Sequence, residues 1–210
     1  MYRKNTAKSW KIRQILAPFI TVYIPISKGN YVFLGALRFY LLTFFFCISG
    51  FVFSQEETIP WSGDRKLQWS DFKGSYFKTE WAAATTATGI SYVFSANEQN
   101  GQQFLEIEVK CVFFPQKSWY RPELCDSVIL SHEQLHFDIA ELHARKFRKR
   151  LAEFRFTDNV KEEVRDIYKQ ILKELRIFQN KYDRETDFSK DLQQQVLWNV
   201  SIAKELAVDQ

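Results

Sequence analysis

The chain has 210 residues, 46% of them hydrophobic, enough apolar material for one domain with its own core. Its formal charge of +4 is unevenly placed. Residues 1–54 hold seven Lys and Arg and no acid, so residues 55–210 hold 22 basic and 25 acidic side chains, a net of −3. That balance excludes a nucleic-acid binder built on a basic, aromatic-interleaved face.

Residues 1–54 read as a leader. Arg38 precedes the apolar run FYLLTFFFCISGFVFS, Phe39 to Ser54, which is followed by Gln55-Glu56-Glu57. A cation, a short apolar stretch and a small-residue end mark a secretory signal. Val52 and Ser54 take the positions before the cut, so cleavage is expected before Gln55. The run is short against the ~20 residues of a spanning helix. The alternative is an uncleaved signal anchor lengthened by Tyr31 to Leu37, the only membrane association expected. Cys47 follows Phe44-Phe45-Phe46 rather than small residues, so it reads as an ordinary apolar position and not a lipid-attachment site. The expected location is periplasmic or extracellular, with residues 55–210 as a single domain.

Between 55 and 86, Pro60, Gly63 and Gly74 punctuate an aromatic-rich stretch with Trp61, Trp69, Phe72 and Trp81. Short extended pieces are expected, with Leu67-Gln68-Trp69 as a strand start and Ser70 to Gly74 as a turn. Gly89 to Ser95 and Phe104 to Phe113 alternate apolar and polar residues, the period of half-buried strands. Asn97 to Gly101 between them makes a hairpin loop. An antiparallel pair follows, with one or two further strands from 60–88. Cys111 and Cys125 either close a disulfide in an oxidising compartment or stay as two free thiols; spacing does not decide. Neither lies in a C-x-x-C, which removes a cysteine-based zinc site.

After Pro122 there is neither Gly nor Pro. Three helical runs fit: about Asp126 to Phe154, about Val160 to Lys181, and about Phe188 to Ala207. The second carries Val164, Ile167, Ile171, Leu172, Leu175 and Phe178 on one face, and the third Leu192, Val196, Leu197, Val200 and Ile202. Asp158-Asn159 and Asp183 to Asp187 are the breaks. The fold class is α+β, a small antiparallel sheet followed by a helical body.

All three histidines, His132, His136 and His143, lie in LSHEQLHFDIAELHAR, Leu130 to Arg145. His132 and His136 frame an HExxH. On a helix they differ by about 40° of rotation and about 6 Å of rise, so both imidazoles can hold one Zn²⁺ while Glu133 acts as general base. A helix with two histidines that merely pack is the plainer reading of so short a motif. Against it stand the apolar flanks Ile129, Leu130, Leu135 and Phe137 and the capping Asp126 or Ser127. His143 lies about 16 Å beyond His132 along an unbroken helix and cannot share its metal. It is expected to support the site from behind or lie on the surface. Glu141 falls on the opposite face, where Arg145 or the sheet is its expected partner. Asp138 either orients His136 or is solvated. The third ligand is therefore expected from elsewhere, most plausibly downstream.

LQWSDFKG (67–74), AAATTATGISY (82–92), KSWY (117–120), LSHEQLHFDIAELHAR (130–145), YDRET (182–186) and Trp198 together resemble one family. It comprises uncharacterised bacterial secreted proteins described as predicted zinc-dependent proteases, zincin-like in carrying HExxH on a long helix. The resemblance implies that His132 and His136 bind zinc and that Glu133 is the base. In that family YDxET is followed by one residue and a histidine; here Phe188 stands in the histidine's place. Asp187 is taken as the third ligand, with Glu185 as the other choice. The expected function is a secreted zinc peptidase acting on a peptide or protein substrate. The alternative is a catalytically weakened zinc-binding or envelope-associated structural protein.

Overall fold

The computed structural model describes residues 10–13, 56–76, 82–99 and 102–208. The described strand at Trp10–Arg13 and residues Glu57 onward belong to one compact unit. The apolar run 39–54 lies outside the described residues. Of the expected leader, only Trp10–Arg13 is described, and it forms a strand. Among the described residues no helix is long and apolar enough to cross a membrane.

The strands are β1 (Trp10–Arg13), β2 (Ile59–Pro60), β3 (Ala84–Thr85), β4 (Thr88–Gln99), β5 (Gln102–Phe113) and β6 (Trp119–Tyr120); the helices are α1 (Ser127–Glu153), α2 (Val160–Glu185) and α3 (Leu192–Val208). One antiparallel sheet has the order β1-β4-β5-β2, and β3 and β6 form a separate ladder. The α+β class expected from the sequence is what forms. The β4–β5 register runs from Thr88↔Phe113 to Gln99↔Gln102, longer than the alternation alone implied. Pro60 sits in the edge strand β2, where a missing N–H costs no ladder bond.

Strand side chains alternate between faces, and here the alternation separates core from solvent. Ile90, Tyr92 and Phe94 on β4 and Val109, Cys111 and Phe113 on β5 are buried, while Ser91, Glu108 and Lys110 are exposed. Helix α1 lies against this apolar face. Phe113 meets Phe137 with ring centroids 5.9 Å apart, and Tyr92 meets Phe147 edge-on at 5.5 Å. Asp126 caps α1 by accepting from the Val128 and Ile129 amides, both at 2.9 Å. Helix α2 buries Val160, Val164, Ile171, Leu175 and Tyr182, and its Tyr168 hydroxyl donates to Ile90 O of β4 at 2.8 Å.

Two local expectations need correction. Residues 67–74 form no strand: Trp69–Asp71 is a 3₁₀ turn, closed because Asp71 accepts from the Gln68 amide and the Arg65 guanidinium. In α3 the aliphatic face is not the buried one. Gln195, Trp198, Ile202 and Leu206 are buried, whereas Leu192, Val196, Leu197 and Val200 are exposed. Trp198 decides the rotation by packing against both Phe178 and Tyr182 of α2. Of the two readings left open for the cysteines, free thiols are what forms, with Cys125 Sγ donating to Ala83 O at 3.3 Å.

The segment before the sheet is tied to α1 by polar bonds. Gln134 accepts from the Leu67 amide at 2.7 Å and donates to Asp138 Oδ1, which also accepts from Trp61 Nε1 at 2.7 Å. Asp138 thus fastens residues 61–67 rather than orienting His136. Asp138→Ala would strand the Trp61 and Gln134 donors. Urea unfolding followed by tryptophan fluorescence is expected to show a loss of about 1–3 kcal/mol; an unchanged midpoint would mean the tie carries no stability.

Candidate metal centre

Helix α1 carries both histidines inward, with His132 buried and His136 half-buried. Their rings stand edge-on, centroids 4.9 Å apart. The carboxylate that meets them is Asp183, from the last turn of α2. Its Oδ1 lies 2.9 Å from His136 Nε2 and 3.3 Å from His132 Nε2. One ligand atom from each of these three residues falls within 4.8 Å of the other two.

Asp187, the position read from the sequence as third ligand, is not brought to the pair. Helix α2 continues four residues past its expected end, so Asp183 still faces α1. The chain then turns through Asp187, Phe188 and Ser189, all with positive φ (45°, 51° and 73°). L-residues adopt that conformation at a cost. The turn is held by bonds from Phe188 N to Asp183 O and from Asp191 N to Thr186 O, each 2.9 Å. Asp187 ends exposed, its carboxylate 3.9 Å from Lys190. Glu185 accepts from Trp198 Nε1 at 3.0 Å and also lies outside the cluster. Phe188 is exposed.

The His132 imidazole is oriented by Tyr182 of YDRET and by Gln195, which the sequence did not single out. Gln195 of α3, buried, places Oε1 3.0 Å from His132 Nδ1 and accepts there from the Tyr182 hydroxyl at 2.9 Å. Its amide nitrogen is committed to Asn199 Oδ1, and Asn199 donates to Ser131 Oγ. Tyr182 also stacks on the His132 ring, centroids 4.5 Å apart. These bonds make His132 Nδ1 the donor, which leaves the Nε2 lone pair pointing at an Asp183 oxygen. That contact is favourable only with a cation between the two atoms or a second proton on the ring.

Glu133 lies beside the pair: it is a largely buried residue whose charge acts on His136. Two imidazole nitrogens and a carboxylate oxygen are the donor types that suit a divalent transition ion, and the residues present therefore fit one.

The titration behaviour follows from the same contacts. Burial pulls His136 down, but its hydrogen bond to Asp183 and the charges of Glu133 and Asp183 outweigh that and leave it raised. Burial pushes Asp183 up, yet hydrogen bonds from His132 and His136 hold it far below the usual carboxylate range. Tyr182 is raised mainly by burial, so it remains a neutral donor.

The other motif residues are structural. His143 is buried, donating from Nδ1 to Ile139 O at 2.9 Å and packing on Phe178, so it is a satisfied core residue rather than a surface one. Glu141 accepts from Arg145 and Arg148, and Arg148 reaches on to Val109 O of β5, the partnership with Arg145 and the sheet expected from the sequence.

Residues 116–190 match the model of a bacterial family. Its description is "Bacterial protein of unknown function (DUF922)". The matched segment runs from before β6 past the turn at Asp187, and so takes in His132, Glu133, His136 and Asp183 but not Gln195. No curated protein and no solved structure matches the chain.

Two outcomes follow. Gln195→Ala removes the acceptor that fixes the His132 tautomer. Competition with a zinc indicator is expected to read a roughly 10- to 100-fold weaker affinity; unchanged affinity would mean the bond orients nothing. In the metal-free chain, the raised His136 contributes stability that is full below its ordinary 6.5 and lost as pH rises through its folded value. The lowered Asp183 contributes stability present above 3.8 and lost on acidification through its folded value. Thermal melts in EDTA should therefore be highest between about pH 4 and 6.5. Zinc affinity should rise across the same upper limb, because binding requires neutral His136. Melts that climb with pH above that window would contradict the pairing.

Proposed function

We propose that this protein is a zinc-dependent peptidase, with His132, His136 and Asp183 holding the metal and Glu133 as general base. The observation that carries the reading is the joining of His132 and His136 to a carboxylate on a second helix, with Glu133 close enough for its charge to act on His136. A zinc ion held there supplies Lewis acidity and makes water a competent nucleophile near neutral pH.

The chain's own groups do the rest. Glu133 takes the proton of the attacking water and returns it to the leaving amine. Asp183 offsets the charge of the centre and keeps both Nε2 atoms aimed at one point. Gln195 holds His132 through Nδ1, while Tyr182 stacks on its ring and donates to the same Gln195 oxygen. Two histidines and one carboxylate also serve non-haem iron; the base beside them favours hydrolysis. The rival reading, a weakened zinc-binding or envelope-associated structural protein, drew its force from Phe188 in a histidine's place. Asp183 supplies the third donor without that position. Action outside the cytoplasm, on peptide or protein substrates, is part of the proposal and rests on the leader sequence at 39–54.

The test uses purified protein and an unfolded protein as substrate. Glu133→Gln is expected to keep the metal and to lower turnover by at least ~100-fold. His132→Ala is expected to lose both. Hydrolysis that survives Glu133→Gln would remove the base from the mechanism, and a zinc-bearing chain with no activity to lose would favour the structural reading.

A further inference from the structure

A groove of about 1000 Å³ runs between the C-terminal half of α1 and the last turns of α3. On α1 the residues that line it begin five positions after His136 and lie mostly on the opposite side of that helix, so it is separate from the metal cluster. It holds five cations against two carboxylates, Glu141 and Glu205. At its floor one buried Glu141 is shared by Arg145 and Arg148, so one negative charge faces two positive ones. Both guanidinia are fixed by further bonds, Arg145 to Leu206 O and Arg148 to Val109 O, and each keeps N–H donors that no group among the described residues uses. On the rims, Lys149 of α1 and Lys204 of α3 are exposed and have no ion pair among the described residues.

Exposed apolar side chains on α3 flank the groove. Of the ten large apolar side chains exposed among the described residues, six fall between Phe188 and Val208, and Val208 itself lines the groove at 75% exposure. Val200, 65% exposed, adjoins the lining residue Ser201. Concentrated exposed aliphatic surface of this kind marks a contact site. Cations beside it set the chemistry of the occupant.

We propose that this groove docks an acidic peptide segment with interspersed aliphatic side chains, its carboxylates on Arg145, Arg148, Lys149 and Lys204 and its apolar residues over Val200 and Val208. A second copy of the chain is disfavoured because a two-fold contact would bring the lysine rims together. A single small oxyanion is disfavoured because the cations are strung along the groove instead of converging. A bilayer surface cannot reach Arg145, whose side chain is only 13% exposed at the floor. The docking needs neither the metal nor catalysis.

Fluorescence anisotropy with the full chain tests it, using a fluorescein-labelled peptide of repeated Leu-Glu-Glu triplets and a Leu-Gln-Gln control. Saturable binding of the acidic peptide is expected, weakened by added salt and roughly tenfold or more by Lys149→Glu with Lys204→Glu. Both lysines are exposed, and circular dichroism checks that the variant is folded. Val200→Ser with Val208→Ser is expected to weaken binding without altering its salt dependence. Equal binding of the control peptide, equal binding by the charge-reversed variant, or no saturable binding would each overturn the proposal. So would retention on phosphatidylglycerol vesicles in place of the peptide, or dimerisation abolished by the same lysine substitutions.

Discussion

The bond between His132 Nδ1 and Gln195 Oε1 is the constraint on which the centre depends. It joins α1 to α3 inside the core, where a polar pair must be fully satisfied to be tolerated. Satisfying it draws in Tyr182 from α2 and Asn199 from the next turn of α3. Three helices are thereby fixed around one imidazole, with its second nitrogen left to face Asp183. Trp198, one turn from Gln195, packs on Tyr182 and locks the rotation of α3 that makes the bond possible. The rotation explains why α3 leaves its aliphatic face outside. A helix has one inward face, and here it is used for Gln195 and Trp198.

The sheet serves this arrangement from the other side. Its alternating β4 and β5 give α1 an apolar floor, while Glu141, bridged by Arg148 to Val109 O, anchors the helix beyond the motif. Gln134 and Asp138 hold the Trp61–Leu67 segment on a third side. The HExxH helix is thus gripped along its length, which leaves little freedom in where His132 and His136 point.

Much of this was legible in the residues. The period-2 runs located β4 and β5, the Asp126 cap and the absence of Gly and Pro located α1, and helical spacing paired His132 with His136. The third donor was not legible. Asp183 lies in YDRET, but its role depends on α2 continuing to Glu185 before a turn with three positive-φ residues, none of them Gly. Nothing in local propensity announces such a turn, since Gly is the residue that adopts it freely. Gln195 was hidden for a different reason: a glutamine among aliphatic residues reads as the solvent face, and only the tertiary contact with His132 reverses that.

The central claim is that Asp183, and not Asp187, completes the centre. It is tested by zinc stoichiometry of the full chain after chelation and reconstitution, read by mass spectrometry. Asp183→Ala is predicted to lose the bound zinc, while Asp187→Ala retains it at the unaltered chain's level. Zinc kept by Asp183→Ala and lost by Asp187→Ala, or an unaltered chain that takes up none, would contradict the account.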